Sequence, residues 1–257
     1  MPNQEDWGGD KILNTPKEPL ISHLRELRKV LMVSLIAIAL GFIGVFIGFS
    51  EELLLFLSEP LLVRDVDIIN IGLAEPFVAQ LRVSLVAGFV LASPIVFWRI
   101  WLFLKPALFP KERAVFRVVF FIIMILFVLG ILFAYLYVFN ITVNFFLLIG
   151  QNIATPQISI DMYLKLLFNF VIPFGLAFQL PVAVYLLHKK GIVSIAGLTK
   201  KRKYVVFAMF VLATLLTPPD LLSQIMLALP LLLLYEVSIV VIRISESRKK
   251  AGKENDS

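Results

Sequence analysis

Six apolar stretches set the plan of this 257-residue chain, near residues 30–49, 77–98, 116–138, 163–187, 204–217 and 223–242. All but the fifth reach the ~20 residues that a helix needs to cross a hydrocarbon core of ~30 Å. Ahead of the first stretch, Leu20, Leu24, Leu27 and Leu31 recur at helical spacing with Ile21 beside them, while Arg25, Glu26, Arg28 and Lys29 take other faces. That spacing predicts an amphipathic interfacial helix over about 19–29, opened by Pro19 and running straight into the first span. The pattern predicts an all-α, polytopic membrane protein of six transmembrane helices in a single membrane domain, ending in a tail at 243–257.

Lysines and arginines sort between alternate connections. Of 24, 21 fall in the N-terminal segment, the 99–117 loop, the 189–203 loop and the tail. The other side holds only Arg64, with Arg82 and Lys165 near span starts. By the positive-inside rule both termini and the two basic loops face the cytoplasm.

Composition agrees. An apolar fraction of 60% and a mean hydropathy of +0.92 exceed what a water-facing fold can hide, so lipid covers the surface. The net charge of +6 follows from topology and suits an anionic inner leaflet; it does not signal nucleic acid. The absence of cysteine excludes disulfides, zinc thiolates and cysteine nucleophiles. Residues 1–18 have no apolar core, and Glu5, Asp6 and Asp10 argue against an organelle transit peptide. The expected location is a prokaryotic plasma membrane, the cell inner membrane, with the first span directing insertion.

The outer connections read as a cap of short helices. Residues 50–76 are acidic, with a Leu-rich helix at 53–57 before Pro60, and residues 139–162 are nearly uncharged. Pro94, Pro173, Pro181 and Pro230 fall inside spans, where each bends its helix, so the bundle is expected to form a curved wall. The fifth stretch has 14 residues before Pro218-Pro219 and reaches roughly 21 Å against a core of about 30 Å. The turn after it is therefore sunk below the outer surface or lies where the bilayer is thinned. Thr214, Thr217, Asp220 and Gln224 then lie at membrane depth, where polar groups face a partner or a water-filled recess.

Catalytic patterns are missing. HExxH, G-x-S-x-G and the P-loop do not occur, and the two histidines, His23 and His188, are expected at the cytoplasmic surface. The chain is read as no enzyme and as needing no cofactor or metal. What remains is a set of carboxylates near the basic membrane surface. Glu26 lies in the amphipathic helix, and Glu112 stands among Lys105, Lys111, Arg113 and Arg117. Taken singly, each is a solvated partner of its basic neighbours. A pair of carboxylates there also suits a pair of guanidinium groups, whose planar fork fits a carboxylate with two hydrogen bonds.

Six segments in order resemble TatC, the multispan receptor subunit of the twin-arginine (Sec-independent) protein translocase. They are His23-Leu-Arg-Glu-Leu-Arg28, Phe103-Leu-Lys-Pro-Ala-Leu-Phe-Pro-Lys-Glu-Arg113, Ser159-Ile-Asp-Met-Tyr163, Phe174-Gly-Leu-Ala-Phe-Gln-Leu-Pro181, Leu216-Thr-Pro-Pro-Asp220 and Leu234-Tyr-Glu236. The resemblance implies a curved, glove-like bundle that binds twin-arginine signal peptides of folded proteins. It also implies recruitment of TatA-like and TatB-like single-span subunits, assembly with copies of itself, and transport driven by the proton-motive force. By the same resemblance Glu26, Arg28, Phe103 and Glu112 bind the signal peptide. Gln179, Thr214, Thr217, Asp220, Gln224 and Glu236 form the polar partner and intramembrane set, and Pro60 matches a further family position. One departure stands out. The family commonly carries a glutamate where this chain has Gln179, and glutamine hydrogen-bonds but does not titrate.

A secondary transporter of a small solute is the alternative from another class. Such proteins use midplane charges, broken helices and often internal repeats. Proline breaks are present here, but span charges are few and the halves 1–128 and 129–257 show no repeat.

Overall fold

The computed structural model describes residues 17–64, 66–108, 113–150, 157–216 and 221–255, with side chains at 24–64, 66–103, 117–150, 157–214, 221 and 224–247. Ten helices and one pair of short strands account for the described chain. α1 (Lys17–Gly48) carries the amphipathic segment and the first span as one continuous helix. α2 (Ser50–Leu62) follows, then β1 (Asp67–Ile69) and α3 (Glu75–Leu108). α4 (Arg113–Phe133) passes through a π-helical segment, Ala134–Phe139, into α5 (Asn140–Gly150). β2 (Gln157–Ser159) leads into α6 (Ile160–Ala177) and α7 (Leu180–Lys189). α8 (Ile195–Lys200), α9 (Arg202–Leu216) and α10 (Leu221–Asn255) complete the chain.

Five helical stretches among the described residues are long and apolar enough to cross a membrane. α9 is not one of them: its 15 residues rise about 22 Å, well short of the hydrocarbon thickness. α1 packs on α3, α3 on α6, α6 on α4 and α10, and α10 on α7 and α9. The result is a wall of helices with α1 at one edge and α9 at the other. Its core is aromatic and aliphatic, with Phe139, Phe170, Phe174, Leu164, Leu167 and Leu227 almost wholly buried. Leu35, Ile36, Leu40 and Ile47 of α1 face outward, as lipid contact requires.

Local chemistry explains the breaks. Pro181 is the second residue of α7, where its missing amide has no helical partner to lose. The fourth span therefore stops at Ala177 and restarts at Leu180. α7 ends on Gly191 at φ 73°, with the Gly191 amide donating to His188 O and the Ile192 amide to Leu187 O. Ser159 caps α6 by accepting from the Met162 amide, and Ser194 caps α8 by accepting from the Gly197 amide at 3.0 Å.

Three features add to or differ from the pattern-based expectation. The short helix expected in the second outer connection is present as α5, but it follows the third span without a break, so helix continues to Gly150. Asn140 and Asn144, which look like loop residues, are bonded within and beside the helix. Asn140 Nδ2 donates to Tyr135 O at 2.8 Å, and Arg64 Nε and Nη2 donate to Asn144 Oδ1 and Asn140 Oδ1 at 2.7 and 3.0 Å. The outer connections also form a parallel strand pair, Asp67–Ile69 with Gln157–Ser159, which ties the first outer connection to the second. His188 is not a free surface residue. Its Nδ1 faces Val193 O at 2.8 Å and its Nε2 faces Glu246 at 3.0 Å, joining α7 to the extended α10.

Candidate functional site

At the end of the wall that carries the basic connections, α1 and α3 enclose a cavity of about 210 Å³. Glu26, Lys29 and Val30 line it from α1, and Arg99, Leu102 and Phe103 from α3. Residues three and four apart share a helix face, so Glu26 with Lys29 and Val30, and Arg99 with Leu102 and Phe103, follow from helical geometry. Two of the expected residues, Glu26 and Phe103, thus meet although 77 positions separate them. Arg28 does not join them. It is two residues from Glu26, which turns it to another face, and it stands exposed. Lys29, three residues on from Glu26, takes the place beside it. Glu112 lies outside the described residues.

The α3 side of the cavity is backed by aromatic packing. Trp101 is 2% exposed and packs with Val119 and Leu186 from α4 and α7. Trp98 meets Phe120 edge-to-face at 4.9 Å between ring centroids. Trp98 and Trp101 thus anchor the stretch of α3 that carries Arg99 and Phe103 against α4 and α7.

The second polar set divides. Thr214 and Gln224 come together: Gln224 Nε2 donates to Thr214 Oγ1 at 2.5 Å and to Phe210 O at 3.2 Å. Thr214 Oγ1 in turn donates to Phe210 O at 2.9 Å. Glu236 is elsewhere. It is 12 residues further along α10, about 18 Å away, and accepts from Arg202 Nη2 at 2.6 Å near the basic end of α9. Gln179 occupies the break between α6 and α7. Its Nε2 donates to Gly175 O at 3.3 Å, while its Oε1 is buried with no partner among the described residues. Thr217 and Asp220 lie outside the described residues.

Two further features escaped the sequence. Asp161 at the start of α6 receives Arg82 Nη1 from α3 at 2.5 Å and Lys165 Nζ from its own helix at 2.6 Å. Arg82 Nη1 also donates to Asp161 O at 3.2 Å. Beside this cluster Glu75 accepts from the Ser159 hydroxyl and the Asp161 amide. The second feature is the hollow of the wall. A cavity of about 770 Å³ opens between α1, α2, α3, α4 and α6, lined by Val45, Leu57, Val90, Leu132, Leu167 and other apolar residues, with Glu52 the one charged lining residue described.

Comparison with known proteins gives a consistent picture. The family described as Sec-independent protein translocase protein (TatC) matches residues 22–230. The Sec-independent protein translocase protein TatC of Carboxydothermus hydrogenoformans is 42% identical over 235 residues, 91% of this chain and 96% of the relative. TatC of Aquifex aeolicus is 37% identical over 236 residues, covering 90% of this chain and 98% of the relative. A crystal structure of the twin-arginine translocase receptor TatC superposes with a TM-score of 0.81 at 36% identity, covering 87% of this chain and 99% of that one.

Proposed function

The chain belongs to the TatC family of Sec-independent protein translocase proteins, and from that premise we propose that the α1–α3 cavity receives the paired arginines of export signal peptides. The observation that carries this reading is the meeting of Glu26 and Phe103 in one cavity at the basic end of the wall. Glu26 offers a carboxylate for a guanidinium fork, and Phe103 offers an apolar face for the residues that follow. Glu112 supplies the second carboxylate, and Arg28 meets the signal peptide from its own exposed face of α1. The basic end faces the cytoplasm of a prokaryotic cell, so the site meets signal peptides before transport. The chain acts as a receptor and assembly core, not as an enzyme.

The rest of the wall supports recruitment. The hollow is apolar and suits the flank of an apolar helix far better than a polar solute. TatA-like and TatB-like single-span subunits and further copies of this chain are the partners of that surface, with Gln179 and the Thr214–Gln224 pair as its polar contacts. The proton-motive force drives the step that follows binding.

The test uses the full chain in native-like vesicles with a photo-crosslinker at Phe103. A signal peptide with two arginines should crosslink, and the same peptide with two lysines should crosslink roughly tenfold less, since each charge-assisted bond contributes about 1.5–3 kcal/mol. Glu112→Lys should abolish crosslinking while leaving membrane insertion intact. Equal crosslinking of the two peptides would overturn the assignment.

A further inference from the structure

The α1–α3 cavity carries two cations against one carboxylate. Lys29 and Arg99 line it together with Glu26, and neither has a part in the arginine recognition described above. Their height relative to a membrane is legible. Lys29 is the last residue before the apolar run that opens at Val30, and Arg99 directly follows the apolar run of the second span. Arg99 also sits between Trp98 and Trp101. Basic residues at span ends and tryptophans both collect at the level of the lipid headgroups. The remaining lining, Val30, Leu102 and Phe103, is apolar, and Leu102 is exposed.

We propose that Lys29 and Arg99 form a binding site for the phosphate of an anionic lipid headgroup, with the acyl chains leaving along Val30 and Leu102. The guanidinium of Arg99 matches two phosphate oxygens with parallel hydrogen bonds, and the ammonium of Lys29 adds a point charge from the facing helix. One phosphodiester charge brings the cavity lining to neutrality. A zwitterionic headgroup leaves it positive, so the site selects phosphatidylglycerol over phosphatidylcholine. Lipid binding does not depend on the signal-peptide reading. A consequence that does depend on it is that the bound phosphate shields the two cations from an arriving pair of arginines.

The experiment measures lipid retention, not export. Full-length protein, delipidated in detergent, is mixed with equal amounts of phosphatidylglycerol and phosphatidylcholine, and retained lipids are counted by native mass spectrometry. The wild type should retain phosphatidylglycerol preferentially. Lys29→Gln with Arg99→Gln should weaken that retention by roughly tenfold or more, given the attraction of each juxtamembrane cation for anionic lipid. Lys200→Gln with Lys201→Gln removes the same charge elsewhere and should retain lipid as the wild type does. Each single variant, Lys29→Gln or Arg99→Gln, should show a partial loss, which guards against misfolding of the double variant. Equal loss in both double variants, or equal retention of the two lipids, overturns the proposal. Displacement of phosphatidylglycerol by low millimolar inorganic phosphate would assign the site to free phosphate and overturn it as a lipid site.

Discussion

Gly41 of α1 and Gly88 of α3 touch backbone to backbone. A methyl group on Gly41 would fall 2.6 Å from the Gly88 carbonyl oxygen, and one on Gly88 would fall 2.4 Å from the Phe42 amide nitrogen. Small residues at such crossings are what lets membrane helices approach closely, because packing rather than water release drives their association. The same two helices line the cavity between Glu26 and Phe103, so a change in their spacing at the crossing is expected to reach it.

Gly88→Ala should therefore force the two backbones apart and destabilise the chain by about 1–3 kcal/mol, the usual range for overpacking. The matched control is Gly44→Ala on the same α1 helix, where an added methyl meets nothing within 4 Å. That change should be neutral or stabilising by about 0.5–1 kcal/mol, through helix propensity alone. Thermal unfolding in micelles compares them, and signal-peptide crosslinking at Phe103 should fall for Gly88→Ala only. Identical unfolding of the two variants would show that the crossing tolerates a wider spacing.

At the opposite end of the wall, Asp161 holds two cations from two helices. Asp161→Asn should cost more than removal of either cation, because it leaves Arg82 without its carboxylate while the guanidinium stays partly buried, with 27% of its side chain exposed. About 1–2 kcal/mol is expected, between the values for exposed and for buried pairs. Lys165→Ala should cost little, since that side chain is 58% exposed. Denaturation of the single variants and of Arg82→Ala with Asp161→Asn completes the cycle. A coupling near zero would mean that the strand pair and the Glu75–Ser159 bond hold the outer end without the ion pair.

Different parts of this architecture were legible to different degrees. The spans could be read because apolar runs act locally; Pro181 was expected to bend its span and the helix breaks there, whereas Pro94, Pro173 and Pro230 lie within continuous α3, α6 and α10. The Glu26–Lys29–Val30 face follows equally from helical spacing, since residues three and four apart share a face. Asp161 as the partner of Arg82 was not readable, since 79 residues separate the two and no periodicity links them, whereas Lys165 stands at the i,i+4 spacing on the same helix. The pairing of Asp67–Ile69 with Gln157–Ser159 was hidden for a related reason. Strands of three residues show no alternation long enough to count. The direct join of the third span to α5 was hidden because it depends on tertiary contact: Asn140 is satisfied inside the helix by Tyr135 O and by Arg64.

The short α9 yields a prediction about length. Adding about five leucines between Val211 and Leu215 lengthens the helix by about 7 Å and nearly removes its mismatch with the bilayer. Export should fall if thinning at this edge is part of transport. The insertion also turns Thr214 away from Gln224, so a second variant is needed. Thr214→Val deletes the Gln224–Thr214 bond at unchanged length. Export measured for both separates the causes: loss only on insertion points to thickness, and loss in both points to the polar pair. Normal export by the lengthened chain would exclude a role for the short helix.

Gln179 gives the sharpest contrast between stability and function. Its Oε1 is buried without a partner among the described residues, and its Nε2 makes one long bond to Gly175 O at 3.3 Å. An unpaired buried acceptor costs about 1–3 kcal/mol, so the isolated chain gains little from this side chain. Gln179→Leu should leave the thermal stability of the purified chain unchanged or slightly raised. If a partner helix donates to Oε1 in the assembled translocase, the same variant should lower export and partner crosslinking, because the donor is then left unmet. Gln179→Glu in its neutral form keeps one acceptor and one donor, and it should support export near the wild-type rate. Purified-chain melting, export rate and partner crosslinking are measured at equal expression. Leucine matching glutamine in all three would make residue 179 a passive part of the helix break; leucine failing only in export and crosslinking would place a hydrogen bond from a partner at this oxygen.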